Sequence, residues 1–152
     1  MGGSLTIEEI SWLLNAAFFD DVAGCVPSAA EEKEPKFFAY RGFAKWRLGQ
    51  FEGAIEDFSV ALALLPNAPS TRFLRARCYE ELERYSEAVA DYEEVLKIAP
   101  HTADAYAHLG YCRERLGDAE RALLNYLTAL DINSGETLAI SGVQALRTGS
   151  IH

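Results

Sequence analysis

Apolar residues along this chain recur at helical spacing, and the whole pattern then repeats every 34 residues. Between residues 35 and 136, Ala54, Ala88 and Ala122 fall 34 apart, as do Phe58, Tyr92 and Tyr126, the small residues Gly42, Ala76 and Gly110, and the leucines Leu48, Leu82 and Leu116. Pro66 and Pro100 keep the same register, with Ser134 where a third proline would stand. Each period holds two helix-length apolar patterns joined by a short turn. That is the sequence form of stacked helix pairs, which bury their apolar faces only against neighbours. The expected fold is all-α, a helical solenoid of antiparallel pairs. Its units are residues 35–68, 69–102 and 103–136, with 1–34 as a flexible arm and degenerate amino-terminal cap and 137–152 as a carboxy-terminal capping helix and tail.

Local signals place the helices inside that frame. Thr6 and Glu9 form an S/T-x-x-E capping box that starts a helix running to about Phe19. Its apolar stripe is Ile7, Ile10, Trp12, Leu13, Leu14, Ala17 and Phe18. A shorter helix is expected from Asp20, Pro27 breaks it, and Ser28 recaps a piece reaching Glu32. In the first unit Pro35 suits a first helical turn, helix A runs to about Leu48, and helix B spans Glu52 to Leu64. The second unit has helices from Ser70 to Leu82 and Glu87 to Ile98, and the third from Ala103 to Leu116 and Glu120 to Ile132. Asn133, Ser134 and Gly135 then supply turn chemistry. A last helix from Thr137 to Arg147 carries Ala139, Ile140, Val143 and Leu146 at helical spacing and is expected to lid the last helix B.

Two interhelical features follow from the register. Gly42, Ala76 and Gly110 on the A helices should face Ala54, Ala88 and Ala122 on the B helices and let the axes approach, with Phe58, Tyr92 and Tyr126 reaching across to the following helix. Arg41 and Asp57 lie 16 residues apart, Arg75 and Asp91 repeat that spacing, and in the third unit both change together, to Leu109 and Asn125. The expectation is an Arg-Asp contact tying helix A to helix B in the first two units.

Composition narrows the function. A net charge of −9 argues against nucleic acid, whose phosphates are neutralised by Lys and Arg. The charge is uneven: residues 1–34 carry −6 and the three units +1, −2 and −3, so an acidic ligand would favour the first unit. The length fits one domain, and the hydrophobic fraction of 49% is evenly spread. There is no apolar run of about 18 residues and no signal-peptide pattern, so the expectation is a soluble cytoplasmic protein. Cys78 and Cys112 occupy one position in successive units where the first has Ala44, which marks them as packing residues in a reducing compartment. His108 and Cys112, four apart, could share a metal, but two ligands do not make a site, and no metal or cofactor is expected. With no Gly-rich phosphate loop and no nucleophile beside a base, the chain is not expected to be an enzyme.

The repeated residues resemble the tetratricopeptide repeat, whose pattern is Leu-Gly, an aromatic, Ala, an aromatic and a closing Pro. Leu48-Gly49, Phe51, Ala54, Phe58 and Pro66 meet it, as do Leu82, Tyr85, Ala88, Tyr92 and Pro100, and Leu116-Gly117, Ala122 and Tyr126. Glu83 replaces a turn glycine, Ala119 a turn aromatic and Ser134 the proline. The resemblance implies right-handed stacking and a concave face, lined by the A helices, that holds an extended peptide segment of a partner protein. In the family's register the inward residues include Lys36, Tyr40, Phe43, Trp46, Arg47, Phe73, Arg77, His108 and Tyr111, an aromatic groove with cations. Aromatic and Arg side chains are the usual anchors of interfaces.

Members of that family that hold the acidic tails of heat-shock chaperones do so with a carboxylate clamp of Lys and Asn, then Asn, then Lys and Arg. Here those places hold Ala39 and Phe43, then Leu74, then Asp104 and His108, so chaperone-tail ligands are not expected. The implied role is a non-enzymatic protein-interaction scaffold for an apolar or aromatic peptide with one or two acidic groups. Phe43, Phe73 and Tyr111 would make its apolar contacts, and Arg47, Arg77 and Lys36 would take the acids. An alternative is a structural subunit that forms a homodimer or docks through Val143 and Leu146 of the apolar last helix. A third reading rests on Met1 to Thr6, which fits the pattern for acylation of Gly2, although a Gly-Ser linker would read the same way. Membrane attachment would follow only if Gly2 were acylated, and the acidic amino-terminal segment would oppose it on anionic lipid.

Overall fold

Helices joined by turns and loops make up the computed structural model, which describes residues 5–149. Gly2 lies outside the described residues. The helices are α1 (Ile7–Asn15), α2 (Phe19–Ala23), α3 (Pro35–Arg47), α4 (Phe51–Leu64), α5 (Pro69–Glu81), α6 (Tyr85–Ile98), α7 (Ala103–Arg115), α8 (Ala119–Ile132) and α9 (Thr137–Thr148), and a 3-10 turn occupies Glu31–Lys33. No strand occurs among the described residues. The chain divides into two compact units, Met1–Leu82 and Glu83–His152, where its length suggests one domain. The division falls in the turn between α5 and α6, so the middle 34-residue period gives one helix to each unit.

The first unit holds α1 to α5. The capping box forms: the Thr6 amide donates to Glu9 Oε2 at 2.8 Å and the Glu9 amide to Thr6 Oγ1 at 3.3 Å. Helix α1 nevertheless stops at Asn15 rather than near Phe19, because Ala17 turns to φ 62°. Phe18 consequently leaves the stripe expected of it. It stacks on Trp12 at 6.2 Å with both rings exposed, while Ile10 alone of α1 is fully buried. Ser28 does not recap a helix as expected: the 3-10 turn begins at Glu31 with Ala30 at its N-cap position and no side-chain cap, and the Ser28 amide and hydroxyl instead donate to Glu31 Oε2 at 2.9 and 2.8 Å. Helices α1 and α2 pack on α3, and Ile10, Val22 and Cys25 meet Phe37, Phe38, Ala44 and Ala61 in one core. A second core joins Ala54, Phe58 and Cys78, flanked by Phe43, Trp46 and Leu74.

The second unit holds α6 to α9. Its core is Ala107, Ala122, Tyr126, Ala129 and Ala139, closed on one side by Leu138, Val143 and Leu146 of α9. Those last two side chains are half-buried against α8, while Ile140 of the same apolar stripe is exposed.

Close approach is built on glycine, though not opposite alanine alone. A Cβ on Gly42 would stand 2.8 Å from the Phe58 ring, and one on Gly110 equally close to the Tyr126 ring, so each glycine accommodates the aromatic of its own helix pair. Gly142 on α9 lies under the same Tyr126 ring, which is the reach to the following helix that the register implied. At the turns Gly49 (φ 74°) and Gly117 (φ 84°) take the left-handed conformation, and Glu83 is held there too at φ 57°. Only glycine adopts that region without steric cost, so Glu83 stores strain between α5 and α6.

The expected Arg-Asp tie is present in the first unit. Arg41 Nε and Nη2 donate to the two Asp57 oxygens at 2.8 and 2.6 Å, and Lys45 adds a second cation at 2.9 Å. Arg41 Nη1 also donates to the Cys25 carbonyl at 2.7 Å, fastening the amino-terminal segment to the α3–α4 pair. The bond to Asp57 raises the Arg41 pKa further above its ordinary value.

Candidate functional site

The first unit contains an open trough of about 580 Å³. Its floor comes from α3 and α5, through Ala39, Tyr40, Phe43, Arg47, Thr71 and Leu74, and its other wall from Ser11, Leu14, Asn15 and Phe19. Pro35 starts α3 and the helix runs unbroken to Arg47, so Lys36, Tyr40, Phe43 and Arg47 follow one another along one face at three- and four-residue spacing. The wall contributed by the leading segment narrows the trough without filling it. Phe19 meets Phe43 edge-on at 6.2 Å, and the Arg47 guanidinium lies 4.8 Å from the Phe19 ring centre. Phe19, Leu14 and Thr71 are groove residues that the repeat register could not reveal. Two lie in the segment before the repeats, and nothing in sequence sets where that segment packs.

The electrostatics of the trough are simple. Arg47 and Lys36 are exposed, and neither makes an ion pair among the described residues. They stand eleven residues apart on α3, about 16 Å at the helical rise, with apolar surface between them. Lys36 also edges a small recess of about 70 Å³ with Ala61, Leu65 and Thr71.

The remaining expected residues divide. Trp46 is half-buried and tilts on Phe43 at 5.6 Å, where it packs on the Phe58 core more than it faces solvent. Phe73 is half-buried on α5. Arg77, expected to accept acids, is held at 3.8 Å by each of Glu80 and Glu81, which already oppose its charge. In the second unit Tyr111 is half-buried, edge-on to Tyr85 at 6.2 Å. His108 is only 9% exposed and stacks on Tyr92 at 5.8 Å, a packing role that withdraws it from any accessible surface of α7. The trough in the first unit therefore brings together Tyr40, Phe43 and Arg47, while Lys36 edges the small recess beside Ala39 and Thr71.

No group of three His, Cys, Asp or Glu is placed to hold an ion among the described residues. Burial pushes the Cys78 thiol up to about 12, which leaves it protonated and inert at neutral pH. Among the described residues no helix is long and apolar enough to cross a membrane.

Comparison with known proteins agrees with the repeat. The family model described as "Tetratricopeptide repeat" matches residues 41–101 and 79–137. The chain is 34% identical over 93 residues to the Hsp70-Hsp90 organizing protein of Triticum aestivum, covering 61% of this chain and 16% of that protein. It is 29% identical over 107 residues to heat shock protein STI1 of Saccharomyces cerevisiae, covering 70% and 18%. It thus spans less than a fifth of the length of either. Among solved structures, MamA 41-end from Desulfovibrio magneticus RS-1 superposes with a TM-score of 0.85 at 20% identity over 93% of this chain and 81% of that one. The first TPR of Spaghetti (RPAP3), bound to the HSP90 peptide SRMEEVD, superposes with a TM-score of 0.74 at 18% identity over 80% and 96%. At that identity the likeness is one of fold, an all-α helical solenoid.

Proposed function

The chain belongs to the tetratricopeptide repeat family, and from that premise we propose that it is a protein-interaction scaffold whose first unit receives a peptide segment of a partner along α3. The observation that carries this reading is the trough itself, in which apolar surface at Tyr40 and Phe43 lies beside Arg47, while Lys36, one turn before Tyr40 on the same helix face, edges the small adjoining recess. A suitable occupant is an extended segment with an aromatic or large apolar residue over Phe43 and carboxylates toward either end. Aromatic anchors in a desolvated pocket carry most interface energy, and flanking charge sets orientation.

Relatives named for heat-shock chaperones, and a structural neighbour holding SRMEEVD, make an acidic chaperone tail the obvious competitor. Its recognition by a clamp would need polar and basic groups where this chain has Ala39, Phe43 and Leu74. We therefore assign the site to an aromatic-acidic peptide rather than a terminal-carboxylate tail. Fluorescence anisotropy with SRMEEVD and with an acidic peptide containing a central phenylalanine separates the two. The phenylalanine peptide should bind more tightly, and Arg47→Glu should weaken it about tenfold or more while thermal melting stays put. Equal binding by the Arg47→Glu protein, or preference for SRMEEVD, would remove this assignment.

A further inference from the structure

On α8 a different surface carries its own signal, independent of the trough. Leu124 is 64% exposed and Leu127 49% exposed, and with Leu123 they line a shallow recess of about 490 Å³ edged by Asp118, Glu120 and Arg121. Glu120, Leu124, Leu127 and Asp131 succeed one another at spacings of four, three and four, which sets them in one stripe along α8, and all four are exposed. The same positions on α4 are Glu52, Glu56, Ser59 and Ala63, and on α6 they are Ser86, Ala90, Glu93 and Lys97. The repeat therefore does not require leucine at these places. Val60 and Leu64 of α4 are also exposed, at 40% and 41%, but Leu124 and Leu127 are the more open pair and stand where α4 has Glu56 and Ser59 and α6 has Ala90 and Glu93, which marks a contact surface.

We propose that this stripe docks a basic amphipathic helix of another protein, with its apolar side chains entering the recess and a Lys or Arg near each end meeting Glu120 and Asp131. Charge decides the occupant. The stripe ends in a carboxylate on both sides, and neither Glu120 nor Asp131 makes an ion pair among the described residues. A second copy of this chain would lay carboxylate against carboxylate whether it docked parallel or antiparallel, and like charges face to face oppose pairing. A helix with basic ends gains where a copy loses. The stripe runs about 16 Å from Glu120 to Asp131, the length of three helical turns.

The test uses synthetic amphipathic peptides of about 16 residues, with leucines on one face and either lysine or glutamate at both ends, added to the full chain. The lysine-ended peptide should bind and the glutamate-ended one should not. The double variant Leu124→Ala, Leu127→Glu places on α8 the residues that α6 already carries, so it should fold, with its helical signal and melting as the check. It should lose the lysine-ended peptide about tenfold or more, and Arg47→Glu should leave that binding unchanged. Equal binding of both peptides would overturn the proposal, as would unchanged binding by the double variant. A concentration-dependent dimer in sedimentation that the double variant abolishes would assign the stripe to a second copy and would equally overturn it.

Discussion

The α3–α4 and α7–α8 pairs occupy the same place in their repeats, yet they join their helices by different polar chemistry. In the first, Asp57 on α4 is buried and takes both Arg41 and Lys45 of α3, two cations on one carboxylate. In the second, Asn125 stands in its place and accepts from Arg113 Nη1 at 2.6 Å, while the other guanidinium nitrogen turns to Glu93 on α6. Arg113 lies at the position of Lys45, and the position of Arg41 has become Leu109. The architecture thus fixes that a polar group sits at this buried point, and leaves its charge free. A carboxylate there must be neutralised, because an uncompensated buried charge is strongly destabilising. An amide needs only a hydrogen bond.

That difference can be broken directly. Asp57→Ala leaves two cations half-buried without their partner and should cost about 3–5 kcal/mol, seen as a melting temperature about 10 °C lower. Asn125→Ala should cost about 1–2 kcal/mol, since Arg113 keeps Glu93 and stays partly open to water. Equal losses in differential scanning calorimetry would mean that the two pairs are held by packing alone.

Alkali offers the next largest contrast. Burial raises the Cys78 thiol from 9.0 to about 12 in the first unit, and burial with a hydrogen bond to Glu114 raises the Tyr126 hydroxyl above its ordinary value in the second. Both groups are neutral when protonated, so the folded state holds its protons more tightly than the unfolded chain. The Cys78 contribution is complete below pH 9 and is lost as pH rises toward 12, and that of Tyr126 starts to fall only above pH 10 and is lost at still higher pH. For Cys78 the loss should be on the order of 3 kcal/mol near pH 12. Urea melts of the wild type and of Cys78→Ala between pH 8 and 12 would measure it, and parallel curves for the two proteins would exclude Cys78 as the cause.

Substitution at the two glycines should be more alike. Gly42→Ala and Gly110→Ala each press a methyl group against a buried ring and should cost about 1–3 kcal/mol; a harmless Gly110→Ala would mean that Tyr126 can shift where Phe58 cannot. Smallest is Glu83→Gly, which should stabilise the chain by up to about 1 kcal/mol by relieving the left-handed strain, as a slightly higher denaturant midpoint. A loss on that change would show the Glu83 side chain to matter more than its backbone.

Much of this was legible beforehand. The 34-residue period placed α3 to α8 within a few residues, the Thr6–Glu9 box started α1, and the covariation of Arg41 with Asp57 identified a real bond. The register does not single out Lys45, because its position is Tyr79 in the middle period and the cation returns only at Arg113. The end of α1 was misplaced because apolar spacing continues through Ala17 and Phe18, although a left-handed residue had already ended the helix. Among candidate site residues, Tyr40, Phe43 and Arg47 do meet in one trough, but His108 and Arg77 do not offer what their positions suggested.

Sequence alone determined the helices, their pairing and the small residues that let them approach, because those depend on neighbours at a constant distance along the chain. Tertiary structure decided which side chains remain open to a partner. Phe19 walls the trough, Tyr92 covers His108, and the leucines of α8 stay in water, and each outcome depends on what lies opposite in space rather than on any periodicity.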